Sequence, residues 1–150
     1  MEVIEILGEK GNAVETVAPE TPLADVVATL AAKKIGVIVV AGDDGKPAGI
    51  ISERDVVGGL AADGAAVLEK PVSDVMTTGV ETCAPNENVE ELMVKMVFGR
   101  IRHLPVMDGG RMVGIVSIGD VVKGGLRELK VKSDIIQGYI MQPMAQAGED

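Results

Sequence analysis

The chain repeats itself, and this duplication limits the folds available to it more than any other feature of the sequence. The matching segments, first copy then second, are Val14-Glu15-Thr16 and Val80-Glu81-Thr82, Ala18-Pro19 and Ala84-Pro85, and Gly49-Ile50-Ile51-Ser52 and Gly114-Ile115-Val116-Ser117. The first two pairs are 66 positions apart, and one extra residue in the first copy precedes the third. Matching order with a single slip indicates a duplicated folding unit.

Each copy predicts the same order of elements. A short strand ends at a proline, and apolar residues at helical spacing follow it. Two apolar runs joined by a polar turn then predict a hairpin, and a second helix begins at Ser52 or Ser117. The predicted hairpins are 37–41 with 48–51 and 103–107 with 112–116, and the helices after them are 53–62 and 118–129. The predicted fold class is α/β (α+β), with two β-α-β-β-α units packed about a pseudo-two-fold axis, because one unit alone leaves an apolar sheet face uncovered.

Three segments lie outside the repeats. Residues 2–8 predict a short helix, residues 63–73 a linker, and residues 133–147 a helix with an apolar stripe. The stripe has two explanations of equal weight, packing on its own domain or contact with a second copy. The predicted division is 1–70 for the first repeat with its N-terminal helix and linker, 71–130 for the second repeat, and 131–150 for the C-terminal helix.

Two glycine pairs, Gly58-Gly59 and Gly124-Gly125, fall inside the helices that follow the hairpins. Paired glycine costs about 1–2 kcal/mol relative to alanine in a helix interior. The pairs therefore either end these helices early or let another backbone approach closely, and the sequence leaves both explanations open.

Composition excludes several classes of function. The net charge of −9 argues against a nucleic-acid partner, and Phe98 and Tyr139 are the only aromatic residues, too few for a base-stacking platform. No apolar stretch approaches the 18 residues needed to cross a membrane. Cys83 is the single cysteine and no secretory signal precedes it, so we expect a cytoplasmic protein without an intramolecular disulfide.

The sharpest local motif is Gly, two apolar residues, Ser, two residues and Asp, at Gly49–Asp55 and again at Gly114–Asp120. One explanation is structural, because Ser caps a helix and Asp in the first turn satisfies its free amides. The other is functional, because a carboxylate at a helix start accepts hydrogen bonds from vicinal ribose hydroxyls. Recurrence of the motif at matched positions favours the functional explanation.

Two further segments stand out, Asp74-Val75-Met76-Thr77 and Ile101-Arg102-His103-Leu104-Pro105-Val106. Together with the two corners, they resemble paired cystathionine-β-synthase (CBS) domains. The resemblance covers about residues 10–130. It implies a regulatory, non-catalytic module that binds AMP, ADP, ATP, NAD(H) or S-adenosylmethionine between its repeats, acts on an unknown protein target and forms a homodimer.

The resemblance also implies roles for particular residues. Ser117 and Asp120 match ribose-binding positions, as do Ser52 and Asp55, and Arg102 and His103 match a pair that faces phosphate. Further residues match the adenine segment or the apolar wall of the family's site, namely Thr16, Val17, Thr82, Cys83, Leu104, Pro105 and Val106.

The first copy departs from this pattern. Gly36 and Val37 stand where the second copy has the Arg-His pair, and either Arg54 or Lys34 is a candidate replacement for the missing charge. We therefore expect unequal sites, with the second copy stronger for a phosphorylated ligand. His103 is the only histidine, so a metal site is not expected.

Catalysis finds little support in the motifs. Ser117 is not in a Gly-x-Ser-x-Gly elbow, and the chain contains neither a phosphate-binding Gly-x-x-x-x-Gly-Lys-Ser/Thr loop nor a Gly-x-Gly-x-x-Gly dinucleotide fingerprint. Two interpretations remain, a nucleotide sensor and an interaction or dimerisation scaffold that has lost its ligand. The intact Ser-x-x-Asp in both copies favours the sensor.

Overall fold

A computed structural model of the chain describes residues 1–149, with side chains for residues 1–140; residue 150, the last of the predicted C-terminal segment, lies outside the described part. The helices are α1 (Val3–Lys10), α2 (Leu23–Lys33), α3 (Glu53–Asp63), α4 (Val89–Gly99) and α5 (Ile118–Glu149). The strands are β1 (Thr16–Val17), β2 (Val37–Ala41), β3 (Pro47–Ser52), β4 (His103–Asp108) and β5 (Arg111–Ser117). This mixed α+β order confirms the predicted fold class.

Each repeat builds a small sheet from its hairpin. In the first repeat β1 pairs in parallel with β2, and β2 pairs antiparallel with β3. In the second repeat β4 pairs antiparallel with β5, and the predicted first strand is reduced to one parallel bridge between Cys83 and Val106. The registers place Val37 opposite Ser52 and His103 opposite Ser117, so each hairpin starts beside its own Ser-x-x-Asp corner.

The hydrophobic core has two clusters, one for each repeat, and α1 belongs to that of the second repeat. Val3, Ile6 and Leu7 of α1 are buried among residues of α4, β4 and β5. Residues 1–10, which the sequence groups with the first repeat, therefore pack against the other one.

The predicted linker 63–73 is not an extended connection. It forms two short 3₁₀ helices, Gly64–Glu69 and Val72–Asp74, whose Val67 and Val72 are buried in the core of the first repeat. The sequence predicted a connection between the repeats here and did not predict that its apolar residues pack on the first repeat.

The predicted C-terminal helix is present, but it is not separate from the predicted helix 118–129, because α5 runs without a break for 32 residues. Gly124 and Gly125 do not end it. A Cβ at Gly125 would lie 2.8 Å from Met93 Cε, and one at Gly124 would lie 3.0 Å from Met1 Sδ. These glycines therefore leave room for methionine side chains to pack on α5, and the neighbours are side chains, not the backbone considered above.

The glycine of the first corner also has a packing role. Thr77 forms an antiparallel bridge with Ile50 of β3, in which the two peptide groups exchange two hydrogen bonds of 2.9 Å. A Cβ at Gly49 would lie 2.9 Å from the Thr77 carbonyl oxygen. A side chain at Gly49 is therefore incompatible with this bridge.

We expect Gly49→Ala to lower the free energy of unfolding by roughly 1–3 kcal/mol, the usual cost of overpacking. Gly58→Ala is the matched control, because a Cβ added at this position within α3 would meet nothing within 4 Å. This control should raise stability by about 0.5–1 kcal/mol. Urea unfolding followed by far-ultraviolet circular dichroism measures the stability of both variants. Equal stability of Gly49→Ala and wild type would contradict the close approach of Thr77 to Gly49.

Candidate functional site

The first corner joins β3 to α3 through reciprocal hydrogen bonds. The Asp55 amide donates to Ser52 Oγ (3.2 Å), and the Ser52 amide and hydroxyl donate to Asp55 Oδ2 (2.9 and 3.0 Å). The Thr77 hydroxyl donates to the other carboxylate oxygen, Oδ1, at 3.1 Å. The capping explanation of the motif is therefore correct for this corner. The cap also fixes the position of the Asp55 carboxylate at the start of α3.

The second corner has the same cap and a different neighbour. The Ser117 amide donates to Asp120 Oδ2 (2.9 Å), and the Asp120 amide donates to Ser117 Oγ (3.1 Å). The Lys10 ammonium, at the end of α1, donates to Asp120 Oδ2 at 2.7 Å. Burial opposes ionisation of Asp120, but the bonds from Lys10 and Ser117 outweigh it and hold the pKa of this carboxyl below its usual value.

The largest cleft described has a volume of about 830 Å³ and opens between the two repeats. It brings together five residues predicted from the sequence: Ser52, Arg54 and Asp55 from the first corner, and Arg102 and His103 from the second repeat. Its other lining residues are Gly36, Val37, Ile50, Glu53, Val57, Thr77, Thr78, Gly79, Val80, Glu81, Gly99, Arg100 and Ile101.

The cleft combines groups that suit a nucleoside phosphate. Arg54, Arg100 and Arg102 supply positive charge, while Asp55 supplies a fixed acceptor. Apolar residues such as Val37 and Val80 supply wall area for a base. A cleft of this volume falls within the range of small-molecule sites in proteins, about 300–1,000 Å³.

The other predicted residues are not brought into this cleft. Asp120 lines a smaller pocket of about 400 Å³, together with Ile6, Glu9, Lys10, Lys123, Gly124 and Arg127. The remainder line neither space: Ser117 caps α5, Thr16 and Val17 form β1, and Thr82 precedes the Cys83 bridge. Leu104, Pro105, Val106 and Cys83 are buried in the second repeat, and burial raises the pKa of the Cys83 thiol to about 11.

Two contributors to the cleft were missed from the sequence. Thr77 was noted only as part of a family motif, although its hydroxyl contacts the Asp55 carboxylate. Arg100 ends α4 in the left-handed region, at φ 54°, and this turn carries it to the cleft. The bridge between Thr77 and Ile50 of β3 is a tertiary pairing, so no local pattern predicted it.

His103 is the one histidine of the chain and is held largely neutral. Burial lowers the pKa of its imidazole below 6.5, and the positive charges of Lys10 and Arg102 lower it further against the opposing effect of Asp120. A neutral imidazole both donates and accepts hydrogen bonds, so it can serve a polar ligand without adding charge.

The fold and the cleft define a class: a tandem-repeat α+β module with a nucleotide-sized cleft between its repeats. The family profile described as "CBS domain" matches residues 11–62 and residues 72–126, more than half of the chain. The chain therefore belongs to the CBS domain family and contains two CBS domains in tandem.

Named relatives agree with this assignment. The chain is 34% identical over 120 residues to the mitochondrial CBS domain-containing protein CBSX3 of Arabidopsis thaliana, covering 77% of this chain and 58% of that protein. The match thus spans little more than half the length of CBSX3. The chain is 32% identical over 108 residues to the CBS domain-containing protein YhcV of Bacillus subtilis, covering 72% and 76% respectively.

Two solved structures show the same fold. A CBS-domain protein of Agrobacterium tumefaciens is 45% identical with a TM-score of 0.79, covering 83% of this chain and 98% of its own. The CBS domain pair of the protein MJ0100, solved with 5′-methylthioadenosine and S-adenosylmethionine, is 27% identical with a TM-score of 0.72, covering 83% and 97%.

We expect an NMR titration of the single imidazole to give a pKa below 6.5. Because the folded pKa lies below the unfolded one, stability is present at high pH and is lost as the pH falls through the window between 6.5 and the folded pKa. Lys10→Met should move the pKa upward, since it removes one repelling charge. A wild-type pKa at or above 6.5 would contradict the buried setting of His103.

Proposed function

We propose that this chain is a non-catalytic regulatory module that binds an adenine nucleotide in the 830 Å³ cleft between its CBS domains. The observation that carries the proposal is the meeting of the Ser52–Asp55 corner with Arg102 and His103, which come from different repeats. A ligand that contacts both groups bridges the repeats and is therefore sensitive to their arrangement.

The Asp55 carboxylate is arranged to receive a ribose. Its Oδ2 already accepts two hydrogen bonds from Ser52, whereas Oδ1 accepts one, from Thr77. A carboxylate oxygen has two lone pairs, so Oδ1 keeps one position for a ligand hydroxyl. A second ribose hydroxyl would take the place of the Thr77 hydroxyl, which is free to rotate.

Arg102 is the group we assign to the phosphate. Its side chain is exposed at the cleft, and the charge of a guanidinium does not depend on pH in the physiological range. Arg54 and Arg100 line the same space and offer further donors to an extended phosphate chain, while the neutral imidazole of His103 offers one hydrogen bond. This arrangement favours AMP, ADP, ATP or NADH over an uncharged nucleoside.

The related MJ0100 domain pair supports the adenine part of the proposal, because its structure contains 5′-methylthioadenosine and S-adenosylmethionine. Both molecules are adenosine derivatives, and an adenosine unit is what Asp55 and the apolar wall of the cleft suit. The phosphate preference comes from the arginines of this chain.

The proposed site differs from the sequence expectation in one respect. The sequence favoured the second copy, with Arg102 and His103 acting beside Ser117 and Asp120. In the structure Arg102 and His103 line the same cleft as Ser52 and Asp55 instead. We therefore assign the main site to Asp55, with phosphate contacts from the opposite repeat.

Regulation follows from differential affinity. A ligand shifts a conformational equilibrium only when it binds one arrangement better than the other, and a ligand bridging two repeats meets that condition when their relation changes. The altered surface would be recognised by a protein target that the sequence does not identify. A cytoplasmic location stays a prediction.

We expect calorimetric titration with AMP, ADP, ATP, NADH and S-adenosylmethionine to show binding of at least one adenine nucleotide. Asp55→Ala should abolish it, and Arg102→Ala should weaken it by about 1.5–3 kcal/mol, the range for a charge-assisted hydrogen bond. Arg111→Ala is the matched control, because Arg111 is exposed and lies outside both spaces described above. Binding by none of the five would favour a ligand-free scaffold.

The scaffold interpretation has its own observation, an exposed apolar stripe on α5. Val122, Leu126, Leu129, Ser133, Ile136 and Ile140 alternate at spacings of four and three, the heptad pattern of a coiled-coil seam. Leu126, Leu129, Ile136 and Ile140 are each 56–62% exposed, so the described part of the chain does not cover them. We propose that two copies pair along this stripe, because a heptad seam is completed by a second helix with the same spacing.

Leu129→Asp should convert a dimer into a single chain of 15.5 kDa, because it places a charge in the apolar seam. Val131→Asp is the matched control, since Val131 is 53% exposed and lies on the opposite side of the helix. Light scattering after size-exclusion chromatography measures the mass. A monomeric wild type, or equal dissociation by both variants, would contradict the seam.

A further inference from the structure

The two corners differ in what contacts their carboxylates. In the first corner Thr77 uses two groups: its amide donates to the Ile50 carbonyl at 2.9 Å, and its hydroxyl donates to Asp55 at 3.1 Å. In the second corner a single ammonium makes both hydrogen bonds. Lys10 Nζ donates to the carbonyl of Ile115 at 2.9 Å and to Asp120 at 2.7 Å. Ile50 and Ile115 are matched positions of the repeats. The Lys10 ammonium therefore makes, in the second repeat, the contacts that the neutral Thr77 makes in the first.

The Lys10 contact is harder to displace than its counterpart. It is a charge-assisted hydrogen bond, which is roughly twice as strong as a neutral one. Asp120 Oδ2 also accepts from the Ser117 amide, so both lone pairs of that oxygen are in use. A ribose offers neutral hydroxyls, which compete poorly with an ammonium for that oxygen, so a pair of ribose hydroxyls is left with Oδ1 alone.

The rest of the fold holds Lys10 in place. Lys10 is the last residue of α1, which is anchored in the core of the second repeat through Val3, Ile6 and Leu7. Its neighbour Glu9 forms an ion pair with Arg127 of α5. The ammonium is therefore delivered by a packed helix and not by a free chain end.

We propose that Lys10 closes the second corner to nucleotides, so that each chain binds one ligand, at Asp55. The inference rests on the proposed function and concerns its stoichiometry and site selection. Removing the Lys10 ammonium would release Asp120 Oδ2 and enlarge the adjoining 400 Å³ pocket, which Lys123 also lines. We therefore expect loss of this one cation to open a second site.

The test is calorimetric stoichiometry with AMP on wild type, Lys10→Met, which keeps the length of the side chain without its charge, and Lys10→Arg, which keeps the charge. Wild type and Lys10→Arg should bind one AMP per chain, and Lys10→Met should bind two. In an Asp55→Ala background, Lys10→Met should retain one AMP, which is lost when Asp120→Ala is added. Circular dichroism establishes that each variant is folded.

The outcomes separate this inference from the proposed function. Two AMP per wild-type chain, one of them lost in Asp55→Ala, would overturn the closure by Lys10 and leave the proposed function standing. One AMP per chain in both wild type and Lys10→Met would also overturn the closure by Lys10 and leave the proposed function standing. A wild type that binds none, with a Lys10→Met variant that binds one through Asp120, would support the closure and overturn the Asp55 site. No binding to any variant would overturn both.

Discussion

The packing of α1 against the second repeat is the contact on which the rest of the molecule depends. Val3, Ile6 and Leu7 complete a core whose other members lie 75 or more positions further along the chain. The N-terminal ammonium adds an ion pair with Glu128 at 3.0 Å, so the start of the chain is tied to α5. Gly114, the glycine of the second corner, leaves room for the Leu7 side chain of α1. Gly49 leaves room in the same way for the Thr77 backbone.

The same contact makes the two repeats chemically unequal. The segment that pairs with β3 presents a neutral threonine to Asp55, whereas the helix that packs on the second sheet presents a lysine to Asp120. The duplicated corner is therefore preserved as a cap in both copies, while its electrostatic surroundings differ. The carboxylate with a neutral neighbour stays open to polar ligands, whereas the one with a resident cation has its Oδ2 occupied by Lys10 and the Ser117 amide.

The sequence predicted the features that depend on local pattern. The duplication, the hairpins and the capped Ser-x-x-Asp corners are all present, because helix caps and strand alternation are set by nearby residues. Five of the predicted site residues meet in one cleft. The sequence did not predict that Arg102 and His103 would share a cleft with Asp55, nor that Lys10 would reach Asp120, because both depend on packing between segments about 50 and 110 positions apart. The continuity of α5 was missed because the repeat ends near residue 129 and the apolar segment 133–147 was treated as a separate element.

Helix α5 begins at the second corner, and its residues 129–140 are all exposed. Its 32 residues correspond to a length of about 48 Å at 1.5 Å per residue. The helix is capped by Ser117, and Ser117 lies opposite His103 of the cleft in the β4–β5 register. Tilting the first turn of a straight helix of this length by about 5° displaces its far end by about 4 Å, from the same helix rise. A rearrangement too small to notice at the cleft would thus become a movement the size of a side chain at the tip.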